Sequence, residues 1–89
     1  MKRIARACIR YKLRSDQDKY WHAVHNHHAG CYNIFRMLEI YDRYDETEGF
    51  ETEDGRFVDR REAYQIAKNA EQLISEDPSE ILKSYNVKY

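Results

Sequence analysis

Cysteine, proline and glycine are scarce: the 89-residue chain has two, one and three of them. Cys8 and Cys31 match no metal-ligand spacing and follow no secretory signal, so reduced thiols in a cytoplasmic setting are expected. There is no low-complexity segment, internal repeat or interdomain linker, and the length suits one domain, residues 1–89. No apolar run approaches the roughly 20 residues needed to span a bilayer, so no membrane partner is expected. The formal net charge of -1 excludes a wholly basic surface, and with it general nucleic-acid binding.

Aromatic residues are plentiful, with eight tyrosines, three phenylalanines and one tryptophan. A chain this short buries only about 60% of its unfolded surface, and large rings partly offset the thin core. Small folds also complete their cores against a second copy, so a homo-oligomer is expected. Charge is segregated along the chain. Residues 1–14 carry Lys2, Arg3, Arg6, Arg10, Lys12 and Arg14 without an acid. Residues 42–54 carry Asp42, Asp45, Glu46, Glu48, Glu51, Glu53 and Asp54 against Arg43 alone. The two regions can attract each other, within a chain or between copies, or lie apart as solvated strand faces.

The hydrophobic pattern predicts an α+β fold. Ala5, Ala7, Ile9, Tyr11 and Leu13 alternate with Arg6, Cys8, Arg10 and Lys12, a half-buried strand with a basic outer face. Turn residues at 14–18 lead to a second strand at 19–24. Asn26 is positioned to cap a helix over His28 to Tyr41, where Cys31, Ile34, Phe35, Leu38 and Tyr41 recur at helical spacing. Gly30 near its start points to a close approach or a frayed turn. Residues 42–48 read as an acidic loop. Phe50 and Thr52, Asp54-Gly55, and Arg56 to Val58 read as a second hairpin. Asp59 and Glu62 make a capping box for a second helix, with Ala63, Ile66, Ala67, Ala70, Leu73 and Ile74 on one face. Pro78 ends it, and Ser79 to Tyr85 is a candidate short helix. The order is ββαββα plus a tail, a small antiparallel sheet of two hairpins with helices on one face.

No catalytic constellation emerges, and the chain is expected not to be an enzyme. His22, His25, His27 and His28 fall within seven residues, but no HExxH is present. Strand and helix positions would aim these rings in different directions, so no metal is expected. Cys8 and Cys31 read as packed side chains, and no serine has a neighbouring base. The stretch 56–61 is more suggestive. A hairpin there runs into a helix N-terminus, where backbone N–H groups favour anions. Arg56, Arg60 and Arg61 add planar guanidinium forks suited to phosphate or carboxylate, and Phe57 and Tyr64 are rings for stacking. The plain alternative pairs Arg60 with Glu53, and Arg61 with Gln65 or Asp54.

The stretch GFETEDGRFVDRREAYQIAKNAEQL, with HHAGCYNI before it, resembles a motif of small bacteriophage proteins. Gly49, Phe50, Gly55 to Arg60, Glu62, Ala63, Ile66, Ala67, Ala70 and Gln72 match, while Glu71 stands where the motif usually has glycine. The chain is thereby similar to the Thoeris anti-defence proteins of the Tad-one type, which act as sponges for cyclic ADP-ribose-like signals. The resemblance implies a homo-oligomer in the host cytoplasm that binds a cyclic nucleotide without cleaving it. It needs no cofactor, and relatives also hold cyclic oligonucleotides. Arg56, Asp59 and Arg60 are carried over as ligand-binding positions, with His28 and, as a stacking ring, Phe57. Tyr11 and Trp21 are further candidates for stacking. The competing expectation is an anti-CRISPR-like inhibitor that blocks a host complex through the acidic segment.

Overall fold

The computed structural model describes residues 2–89. Four antiparallel strands, β1 (Ile4–Leu13), β2 (Asp16–His25), β3 (Arg43–Thr52) and β4 (Phe57–Asp59), form one sheet in the order β2-β1-β3-β4. Helix α1 (His28–Met37) joins β2 to β3, and α2 (Arg60–Asn69) follows β4 directly. The expected α+β order is observed, with a 3-10 turn at Ser84–Asn86 in place of the candidate C-terminal helix. Among the described residues, no helix is long and apolar enough to cross a membrane.

Four elements depart from expectation: β2 and β3 because distant contacts outweigh local propensity, and the two helices because each stops early, α2 at Asn69 instead of carrying Leu73 and Ile74 on to Pro78. The first hairpin turns tightly at Arg14 and Ser15, so β2 begins three residues early. Asp42 holds that turn from outside: its carbonyl accepts from Arg14 N at 3.0 Å and its carboxylate from the Ser15 hydroxyl at 2.9 Å. The expected acidic loop is instead the first half of β3, paired with basic β1 at Ile9–Glu48 and Arg10–Thr47. Opposite charges on neighbouring strands stabilise the pairing that acid content alone disfavours. Helix α1 stops at Met37 rather than Tyr41 and is preceded by His27, without a cap from Asn26.

Both helices end alike. In α1, Glu39 takes φ 54°, and Ile40 N donates to Phe35 O at 2.9 Å. In α2, Glu71 takes φ 58°, and Gln72 N donates to Ala67 O at 2.7 Å. These are Schellman closures with glutamate at the left-handed position that glycine favours. Glu71 is also the residue that departs from the phage motif, and the glycine usual there suits this turn. Glu71→Gly is therefore expected to raise stability by about 0.5–1 kcal/mol, measurable as a higher urea midpoint.

The core has two lobes on one face of the sheet. One joins Ala63, Tyr64 and Ala67 of α2 to Ile4, Ala7, Phe50, Val58 and Leu82; the other joins Cys31 and Phe35 of α1 to Ile9, Tyr11 and Ala23. Alanines at 63, 67 and 70 let α2 sit close to the strands. Gly30 allows a similar approach, for a Cβ there would lie 2.1 Å from His25 Nδ1. After α2 the chain folds back along the molecule, buries Leu82 completely, and pairs Val87 with Leu73. Residues alternating with the core, including Arg6, Cys8, Arg10, His22, Glu51 and Phe57, occupy the opposite face of the sheet.

Candidate anion-binding cleft

The site is built where the hairpin meets α2. Asp59 caps the helix, its carboxylate accepting from Glu62 N at 2.8 Å, as the capping-box pattern predicts. Arg60, the next residue, extends its guanidinium across to α1 and the C-terminal segment. Nη1 donates to Leu82 O at 2.8 Å, and Nη2 to Glu48 Oε1 at 2.9 Å, with His28 Nδ1 3.5 Å away. Arg60 thus pairs with Glu48, not Glu53, which lies 3.8 Å from Arg3.

His28 opens α1 and is 7% exposed. Its Nε2–H donates to Gly49 O at 2.7 Å, since a carbonyl can only accept. The Nδ1 lone pair therefore faces Arg60. Burial holds the imidazole below its ordinary pKa, opposed by the Gly49 hydrogen bond and reinforced by the nearby Arg60 cation. The ring is neutral at pH 7 and serves as an acceptor and a wall.

A cleft of about 310 Å³ opens beside this network, lined by His28, Arg60, Ile81, Lys83, Ser84 and Tyr85. A second hollow of about 280 Å³ shares Arg60 and Ile81 and adds Glu48, Asp59 and Arg61. Lys83, a lining residue of the cleft, pairs its Nζ with Asp77 at 2.9 Å. That pairing and two hydrogen bonds from Ser79 hold the Asp77 carboxyl down at about 2. Tyr85 is 71% exposed, its ring free to receive a planar partner.

Of the residues expected to bind ligand, His28, Asp59 and Arg60 come together. Arg56 does not join them: it lines neither hollow and pairs with Glu62 at 3.3 Å on the surface. Phe57 lies on the opposite sheet face, opposite Glu51, with its ring centroid 6.0 Å from that of His22. The β-strand register decides this, because alternate residues of β4 point to opposite faces. Tyr64 is buried and accepts from Asp77 N through its hydroxyl, while Tyr11 packs edge-on against Phe35 at 4.9 Å. Trp21 is half-exposed under Lys19. The sequence reading missed Ile81, Lys83, Ser84 and Tyr85. They reach the cleft through the fold-back of the tail, which leaves no local pattern.

The acidic segment is occupied internally. Glu51 binds Arg6 and His22, Glu48 binds Arg60, Glu46 binds Arg43, and Glu53 lies near Arg3. Asp42, Asp45 and Asp54 hydrogen-bond to Ser15, Tyr20 and Thr52. Burial pushes the Cys8 thiol to about 12 and the Cys31 thiol to about 11, so neither is a nucleophile at neutral pH.

Fold and cleft define a small two-layer α+β protein with a polar hollow at a helix start, where Arg60 and Lys83 are each paired with a carboxylate. The family model described as phage T4 y16D protein matches residues 3–87, nearly the whole chain, and the chain belongs to that family. Neither the curated proteins nor the solved structures contain a match. The phage part of the resemblance stands on this result; the family's description names no ligand.

Proposed function

We propose that this phage protein binds and sequesters an anionic cyclic nucleotide signal, of the cyclic ADP-ribose kind, without cleaving it. The observation that carries the reading is the joining of Arg60, Lys83 and Tyr85 in one hollow of ligand-binding size. The two cations suit a pyrophosphate, and the exposed phenol suits an adenine. Arg60 is held by Glu48 and Leu82 before any ligand arrives, which lowers the ordering cost of binding. Catalysis is disfavoured by the same network. Both ring nitrogens of His28 are engaged, one with Gly49 and one with Arg60, leaving no base for Ser84.

The cleft sits near the lower end of the range for small-molecule pockets, about 300–1,000 Å³. A cyclic nucleotide would protrude from it, and a second copy of the chain is the natural cover, so the proposed sponge is a homo-oligomer in the host cytoplasm. No specific observation favours the acidic-inhibitor alternative, whose acids at 42–54 are partnered within the chain as Arg60 and Lys83 also are.

Tyr85→Ala leaves the core untouched and is expected to weaken binding by about 1–3 kcal/mol, roughly 5- to 150-fold. Calorimetry with cyclic ADP-ribose isomers and cyclic dinucleotides measures this, beside Lys83→Ala. Mass spectrometry of small molecules released by denaturing protein from signal-producing cells should recover the ligand intact. Cleaved ligand, or binding indifferent to both substitutions, overturns the proposal.

A further inference from the structure

On the face of the sheet away from the helices, three strands bring together side chains far apart in sequence. Cys8 comes from β1, His22 from β2 and Glu51 from β3, and their donor atoms all lie within 4.8 Å of one another. The register accounts for the meeting. Arg10 stands opposite His22 and Arg6 opposite Glu51, so Cys8 lies between them on the central strand, diagonal to both. Directly opposite Cys8 on β3 is Gly49, which contributes no side chain to that space. The Phe57 ring covers it instead, reaching within 2.5 Å of where a Gly49 Cβ would be.

We propose that Cys8, His22 and Glu51 form a binding site for a zinc ion. Thiolate, imidazole and carboxylate are the donor types that zinc takes together, and three protein ligands leave a fourth position open. Thiolate and carboxylate neutralise the divalent charge. The carboxylate is already oriented: Arg6 holds Glu51 Oε1 at 2.7 Å, while Oε2 meets His22 Nδ1 at 2.7 Å. An outer partner on a ligating carboxylate is a regular feature of metal sites. Bonds of about 2.0–2.3 Å in a tetrahedral site place donors roughly 3.3–3.8 Å apart. Ligation therefore opens the His22–Glu51 contact slightly and draws the sulfur inward, with the Cys8 proton released to solvent.

The same face also carries a neighbouring cation. Arg10 Nε is a buried nitrogen without a hydrogen-bond partner. Its guanidinium is sandwiched between Tyr20 at 4.3 Å and Phe57 at 4.5 Å, directly across from His22. No sequence motif announces the site, because positions 8, 22 and 51 acquire their relation only through strand pairing.

Cobalt(II) reports on this site directly, since a thiolate ligand gives a near-ultraviolet charge-transfer band. Titration of the reduced, metal-stripped full chain should show one cobalt per chain, displaced by zinc. Cys8→Ser should abolish the band, and Cys31→Ser should leave it. His22→Ala, at a half-exposed position that does not threaten folding, should weaken binding at least tenfold, and Arg6→Ala by about 10- to 100-fold. No band in the wild type, a band surviving Cys8→Ser, or binding indifferent to His22→Ala overturns the proposal.

Discussion

Phe50→Ala is expected to lower the unfolding free energy by about 3–5 kcal/mol, a large share of the roughly 5–15 kcal/mol typical of a whole domain. The ring is fully buried in β3, where Phe50 is paired with Ala7 on one side and Val58 on the other. It shares the lobe with Ala63 and Ala67 of α2, whose small side chains have no atoms to spare for a vacated space. Strands on both sides hold the β3 backbone in place, so the cavity cannot collapse. The ring also stands edge-on to His28 at 5.1 Å, so its loss removes one wall of the cleft network. Urea unfolding followed by circular dichroism measures the loss. Phe50→Leu, which keeps most of the volume, should recover more than half of it. A loss below about 1 kcal/mol would mean that the lobe under α2 is not part of the cooperative core.

Much of this fold is legible in the sequence because its signals are local. Period-two alternation marks β1, Asp54-Gly55 marks the second hairpin, and the Asp59–Glu62 cap fixes the start of α2 to the residue. Failures of local reading occur where a remote partner intervenes. The acids of residues 42–48 look like a loop until the basic strand is placed beside them. Likewise Arg14 and Ser15 make a tighter turn than their types suggest, because Asp42 supplies hydrogen bonds from across the sheet.

The candidate site is legible only in part, for a related reason. Arg60 and His28 lie at helix starts, positions recognisable from capping and junction patterns. Arg56 and Phe57 look equivalent to Arg60 in sequence, yet strand alternation sends Phe57 to the far face and leaves Arg56 on the surface. Lys83 and Tyr85 carry no local signal at all. Their place depends on the tail folding back, and Gln72, matched by the phage motif without an evident role, governs that return.

Gln72→Ala is accordingly expected to cost about 2–4 kcal/mol. Gln72 is 1% exposed, at the end of α2. Its Oε1 accepts from Ile4 N at 2.8 Å, and its Nε2 donates to Ile4 O at 2.9 Å and Lys88 O at 3.0 Å. One amide thus closes the first residue of β1 and ties it to the far end of the tail. Truncation removes three bonds and strands the Ile4 groups in a buried setting, where each unsatisfied group costs about 1–3 kcal/mol before relaxation. Lys88 N still donates to Gln72 O at 2.7 Å through the backbone, so the tail is loosened rather than released. Gln72→Glu separates geometry from hydrogen bonding: it keeps the shape and an acceptor for Ile4 N but loses both donors, and buries a carboxylate beside two carbonyls. It should be at least as harmful as alanine. Hydrogen exchange provides the decisive reading. In Gln72→Ala, protection should fall at Ile4, Ile74 and Leu82 while the β1–β2 pairing keeps its own. Unchanged exchange at Leu82 would separate the tail from Gln72, and with it the cleft that Lys83 and Tyr85 complete.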